Sequence, residues 1–208
     1  MGVPGSTAAV LAAPWFKPLL FLATLLPLAR LIVLARLELL GANPIEFVAH
    51  STGTWTLVWL LATLALTPLS RLTGIPHWLR LRRLLGLMAF FYATLHLLTY
   101  LWWDQFFDWR EIWRDVGKRP FITAGVTAYA LMLPLAATST DAMMRRLGRH
   151  WRRLHRLVYV VALAGCVHYF WLVKKDISQP LLYGALIALL LAARLLPPRR
   201  RVSATPPA

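Results

Sequence analysis

Residues 82–104 read RRLLGLMAFFYATLHLLTYLWWD: two arginines open the stretch, and from Leu84 to Trp103 no residue is charged. As a helix rising 1.5 Å per residue, such a run covers about 30 Å, the thickness of the hydrocarbon core of a membrane. A helix also satisfies its own backbone groups where water is absent. One residue in the run is out of keeping with lipid, the imidazole of His96.

Five further apolar runs accompany it, Trp15 to Ala35, Phe47 to Pro68, Phe121 to Ser139, Leu154 to Val173 and Leu181 to Leu196. Together they predict an all-α, polytopic membrane bundle of six transmembrane helices filling residues 15–196, between an N-terminal tail over 1–14 and a basic tail over 197–208. Pro44, Pro76, Pro120, Pro180, Pro197 and Pro198 fall in or beside the connections, where they punctuate helices. The apolar share of the 208 residues is 59%, above the roughly 45–50% of a soluble domain. No soluble domain, internal repeat or long linker is evident. The first residues carry no basic group ahead of their Ala and Val, so they lack the charged start of a signal peptide and are expected to stay on the mature protein. A single cysteine, Cys166, excludes an internal disulfide and any cysteine-based zinc or iron–sulfur centre within one chain.

The charges orient the bundle. Lys17, the four arginines from Arg71 to Arg83, the six from Arg145 to Arg156 and Arg199 to Arg201 fall on one side, 14 of the chain's 23 basic residues, with Asp141 as that side's one acid. Arg36, Arg110, Arg114, Lys118, Arg119, Lys174 and Lys175 fall on the other, among seven of the eight acids. The positive-inside rule makes the first side cytoplasmic, which puts both termini in the cytoplasm of a bacterial inner-membrane protein. The net charge of +15 lies in short loops between apolar segments, so it reads as orientation in lipid and not as a nucleic-acid surface. Arg30 and Arg194 sit in or at the ends of apolar runs, where long side chains are expected to snorkel. Trp102, Trp103, Trp109 and Trp113 suit an aromatic belt at the outer interface.

The histidines carry the chemistry. His77 and His150 fall in basic loops and read as solvated. His96 lies 14 residues past Arg82 and His168 lies 13 past His155, which puts both imidazoles about 20 Å from the cytoplasmic helix starts. Their helices run in the same direction by the charge count. Two imidazoles at matched depth on parallel helices are what a bis-histidine heme b requires, because the axial ligands approach one iron from opposite faces. The competing reading is a pair of histidines that only hydrogen-bond neighbouring helices. Lower down, His155 and Arg82 suggest a second, five-coordinate or empty site, with the arginine pairing a carboxylate. Helical phase argues for one heme: at about 100° per residue Arg82 and His96 differ by roughly 40°, His155 and His168 by roughly 140°. His50, near the outer start of its helix, suits either a quinone hydrogen bond or a helix cap.

Asn43-Pro44-Ile45-Glu46 with His50-Ser51-Thr52-Gly53, Arg82 to Leu87, Thr94-Leu95-His96-Leu97, Leu154-His155-Arg156-Leu157-Val158-Tyr159 and Val167-His168-Tyr169-Phe170-Trp171, taken in order, resemble the MsrQ (YedZ) family. Its members are the heme-binding membrane subunits of the periplasmic methionine-sulfoxide reductase system, within the ferric-reductase-like transmembrane group. The resemblance covers roughly Asn43 to Leu196. It implies heme b with His96 and His168 as axial ligands and His155 as ligand to any second heme. It also implies a flavin mononucleotide, for which the residues show no motif. The implied partner is a soluble periplasmic molybdenum subunit that reduces methionine sulfoxide in proteins, with electrons from the quinone pool or a cytoplasmic flavin reductase. Arg82 stands where larger two-heme reductases of the group carry a fourth histidine, and their flavin and nicotinamide domain is missing. Two other readings stay open: an autonomous ferric or quinone reductase of the same group, and a non-redox membrane protein such as a transporter subunit.

Overall fold

Asn43 caps the longest helix among the described residues, and its local chemistry shows why the helix begins there. The Asn43 side-chain oxygen accepts from the backbone N–H of Glu46 at 3.3 Å, while its amide donates to the Glu46 carboxylate at 2.9 Å. This reciprocal cap is followed by Pro44 at the first helical position, where its missing N–H costs nothing. Asn43, and not His50, caps this helix.

A computed structural model describes residues 4–173 and 176–195; the tail expected over 197–208, Lys174 and Lys175 lie outside the described residues. Ten α-helices are found among them: α1 Pro4–Ala12, α2 Phe16–Arg36, α3 Pro44–Thr73, α4 Arg82–Leu98, α5 Trp109–Lys118, α6 Pro120–Ala137, α7 Asp141–Leu147, α8 Arg149–Leu154, α9 Leu157–Leu172 and α10 Ser178–Leu195. A 3₁₀ stretch, Pro76–Leu81, leads into α4, and a π-helical turn, Thr99–Asp104, leaves it. No strand occurs among the described residues. Five stretches are long and apolar enough to cross a membrane: Phe16–Arg36, Pro44–Thr73, Pro76–Asp104, Pro120–Ala137 and Arg149–Leu172. Ser178–Arg194, where the sixth span was expected, is apolar but shorter. The segment expected as an N-terminal tail contains α1, whose Leu11 packs with Leu66, Ile75, Leu81 and Leu85.

Hydrogen bonds between helices establish their directions. His96, late in α4, bonds Ala49 early in α3, whereas Arg82 at the start of α4 bonds Thr67 late in α3. His168, late in α9, bonds Phe121 early in α6, whereas His155 just before α9 bonds Thr138 after α6. Both pairs are therefore antiparallel hairpins, and α4 and α9 run the same way. Arg194 near the end of α10 reaches Tyr159 near the start of α9, so α10 runs back. The helix α1 and the end of α10 consequently lie at one end of the bundle, the end that carries the basic loops.

The core uses small residues to bring backbones close. Ala89 and Ala162 are fully buried among Leu60, Leu61, Leu64, Ala93, Met132, Val161 and Ile187, and such packing replaces the hydrophobic driving force that lipid removes. Many hydroxyls are satisfied within their own helices, as in Thr52 to Val48, Thr63 to Trp59 and Thr94 to Phe90, the low-cost solution in a medium without water. The Tyr92 hydroxyl instead crosses between helices. It donates to the Thr24 carbonyl at 2.8 Å and accepts from the Leu28 N–H at 3.2 Å. It thus replaces an α2 backbone bond beside Pro27, the helix-interior proline that disturbs the ladder.

Candidate functional site

The imidazoles of His96 and His168 meet, with ring centroids 5.9 Å apart and planes at 74°. Each is held from behind by a backbone carbonyl: His96 Nδ1 lies 2.9 Å from the Ala49 oxygen and His168 Nδ1 lies 2.6 Å from the Phe121 oxygen. A carbonyl only accepts, so each Nδ1 carries the proton and each Nε2 keeps its lone pair. Neither Nε2 has a hydrogen-bond partner among the described residues. This is the second-sphere arrangement that fixes tautomer and ring angle in metal-binding histidines.

Two glycines make room for the rings. A Cβ on Gly53 of α3 would lie 3.2 Å from His96 Cε1, and a Cβ on Gly125 of α6 would lie 2.8 Å from His168 Nδ1. Each glycine is one helical turn past the carbonyl that holds the ring. The first helix of each hairpin therefore supplies, one turn apart, the acceptor for an imidazole and the space it occupies. The two bonds span the same 47 residues, so Ala49, Gly53 and His96 recur, in the same order and at the same spacing, as Phe121, Gly125 and His168. The sequence shows no repeat, yet the geometry repeats.

Both histidines line a cavity of about 820 Å³, within the usual range of small-molecule and cofactor sites, about 300–1,000 Å³. Its deeper wall is apolar, formed by Leu57, Leu60, Ala93, Met132 and Val161, and its mouth is polar, with Asn43, Glu46, Asp104, Arg119 and Gln179. An apolar macrocycle with charged edges suits such a lining, and two imidazoles with unshared Nε2 lone pairs on one cavity suit its iron. The residues present fit a heme.

Of the other residues singled out from sequence, His50 stands at the mouth, 4.0 Å from Glu46 and largely exposed. It also borders a shallower recess of about 470 Å³ with Arg30, Asn43 and Glu46. His155 and Arg82 do not line the cavity. His155 stacks on Trp151 with centroids 3.9 Å apart and shares a 3.1 Å hydrogen bond with Thr138, whereas Arg82 is bound to Thr67 on the other hairpin. No hydrogen bond joins them. Arg194 does not snorkel. It turns into the bundle, donating to the Tyr159 hydroxyl at 2.5 Å and the Leu64 carbonyl at 2.7 Å, because the α10 face that carries it packs on α3 and α9.

Sequence reasoning missed Gly53, Gly125 and the two carbonyls; the matched spacings within the two hairpins were the available signal. It also missed the mouth's ion pair. Asp115, buried at 3% exposure, takes the Arg119 guanidinium at 3.1 Å, with the Tyr100 hydroxyl at 3.3 Å and the Gln105 amide at 3.4 Å.

A helical membrane bundle with paired imidazoles on parallel helices defines a class, and a family model agrees with it: "Ferric reductase like transmembrane component" matches residues 52–166, from α3 into α9. Curated relatives narrow the class. The chain is 52% identical to a Bordetella pertussis protein over 92% of its own length and 94% of the relative's, 53% identical to one from Herminiimonas arsenicoxydans over 86% and 83%, and 51% identical to one from Rhodospirillum rubrum over 87% and 88%. Each of these is named protein-methionine-sulfoxide reductase heme-binding subunit MsrQ. The chain belongs to this MsrQ family. No solved structure matches it.

Proposed function

We propose that this protein is the heme b membrane subunit of a protein-methionine-sulfoxide reductase, passing electrons outward to a periplasmic molybdenum-containing subunit that repairs oxidised proteins. The observation that carries the reading is the pair of Nε2 lone pairs, each presented by a carbonyl-held imidazole inside one cavity. His96 and His168 would be the axial ligands of a heme, which when bound supplies a one-electron carrier. The chain's own residues then do three things. Ala49 and Phe121 set the tautomer and raise the basicity of the ligands, the apolar wall excludes water, and the Arg119 mouth offers a cation to acidic groups.

The proposal includes six transmembrane helices and cytoplasmic termini in the inner membrane, with the bundle over residues 15–196 and tails on either side. It draws support from the described ends lying together and from α10 running antiparallel to α9. We take the donor to be the quinone pool or a cytoplasmic flavin reductase, with His50 as the quinone contact in the first case. Flavin mononucleotide enters by family resemblance. The cavity excludes His155 and Arg82, so one heme b is proposed, and any second heme would need His155 to release Thr138.

The test is reoxidation. Dithionite-reduced protein should be reoxidised rapidly by the periplasmic subunit with methionine sulfoxide, and not by either alone. Equal rates with both and with neither would end the assignment. His96→Ala and His168→Ala should each lose the low-spin heme spectrum, and His155→Ala should keep it.

A further inference from the structure

Among the described residues that line the cavity, one side chain is permanently cationic, Arg119. It stands between α5 and α6, just ahead of Pro120. Two residues further on is Phe121, whose carbonyl holds the His168 ring. One short stretch of chain thus carries both the support of an imidazole and a guanidinium at the cavity mouth.

The way this guanidinium is held determines what else it can bind. Its Nε lies 3.1 Å from Asp115 Oδ1, and the side chain is half-exposed. Neither Nη has a hydrogen-bond partner among the described residues. Asp115 has no such freedom. It is buried, and its Oδ2 accepts from the Tyr100 hydroxyl at 3.3 Å and the Gln105 amide at 3.4 Å. A buried carboxylate with both oxygens engaged is fixed in place, so it orients the guanidinium through Nε and leaves the two Nη donors for another group. The other acids at the mouth, Glu46 and Asp104, are each engaged by an amide, from Asn43 at 2.9 Å and from Gln105 at 3.3 Å.

We propose that Arg119 is the carboxylate-binding residue of the site, taking a propionate of the porphyrin through its free Nη donors, with Asp115 as the residue that positions it. The inference rests on the heme reading. A carboxylate cannot be met by the apolar wall, whereas a guanidinium matches it in a charged, two-pronged hydrogen bond. Two axial imidazoles leave the macrocycle free to turn about the line that joins them. A cation at the mouth removes that freedom by choosing which edge faces outward.

The experiment is Soret titration of full-length apoprotein in detergent with hemin and with hemin dimethyl ester, in which both carboxylates are capped. Arg119→Gln should lose about tenfold of the parent's preference for hemin over the ester, with the affinity for the ester and the low-spin spectrum unchanged. Arg119→Lys, which keeps the charge without the fork, should lose part of that preference, and so should Asp115→Asn. An Asp115→Asn protein that loses affinity for both porphyrins alike would overturn the positioning role. Arg114→Gln should keep the full preference, because Arg114 pairs with Glu111 and does not line the cavity. An equal preference in the parent and in Arg119→Gln would overturn the proposal, as would an equal loss in Arg114→Gln. A parent that binds neither porphyrin would instead refute the heme reading, and the role of Arg119 with it.

Discussion

Gly125→Ala is the sharpest perturbation the site offers. The added methyl would stand 2.8 Å from His168 Nδ1 and 2.9 Å from Cε1, against roughly 3.5 Å for comfortable heavy-atom contact. The ring must retreat by about 0.7 Å. It cannot do so freely, because the same Nδ1 is held at 2.6 Å by the Phe121 carbonyl on the turn before residue 125. Overpacking of this kind costs about 1–3 kcal/mol, and loss of the second-sphere hydrogen bond lowers metal affinity about 10–100-fold. Gly53→Ala meets His96 at 3.2–3.3 Å, where a few tenths of an ångström suffice, so its effect should stay under about tenfold. Gly86→Ala meets only Thr63 at 3.8 Å and serves as the control. Heme affinity, measured by transfer to a scavenging apoprotein, should fall in the order Gly86→Ala, Gly53→Ala, Gly125→Ala, with high-spin character growing along it. A Gly125→Ala protein that holds heme as tightly as the parent and stays low-spin would refute the geometric argument.

Three further outcomes follow from the same contacts. Tyr92→Phe removes the hydroxyl bridging Thr24 and Leu28 and should lower thermal stability by about 1–3 kcal/mol with the heme spectrum unchanged; a melting curve in detergent checks both. Asp115→Ala frees Arg119, Tyr100 and Gln105, and because Arg119 is half-exposed the expected loss is about 1–2 kcal/mol, seen as faster hydrogen exchange in α5. Hydrogen bonds from the Ser178 side chain and backbone hold the exposed Asp176 carboxyl below its ordinary value. Its contribution to the start of α10 is therefore complete above the ordinary carboxylate range and lost as pH falls through the lowered value. Exchange of the first α10 amides should rise there in the parent and show no such step in Asp176→Ala.

Much of the site was legible because it rests on quantities a sequence carries directly. Apolar runs of about 20 residues, the length that crosses a bilayer as a helix, located the helices. The arginine balance gave α4 and α9 one direction, and equal rises placed His96 and His168 level. What stayed hidden depends on which face of a helix turns inward. Arg194 resembled a snorkelling residue because hydropathy does not distinguish the lipid side of α10 from the side packed on α3. Gly53 and Gly125 resembled ordinary membrane-helix glycines, since their role comes from rings carried by the second helix of each hairpin. The helix α1 was hidden for a similar reason: at nine residues it is too short to read as a span, and only the surface offered by Leu66, Ile75 and Leu85 gives Leu11 a place to bury. His155 and Arg82 shared a depth but belong to different hairpins, each with its own partner.

The recurrence of carbonyl, glycine and histidine in the two hairpins bears on how the protein is made. On the proposed ligation each hairpin carries half of a clamp, and the first half precedes the second in the order of synthesis. Until α9 arrives, His96 has its Ala49 anchor but no opposing imidazole. On the proposed ligation, cofactor capture would be a late event in biogenesis, and the prosthetic group would act as a suture between two halves that pack more extensively within themselves than against each other.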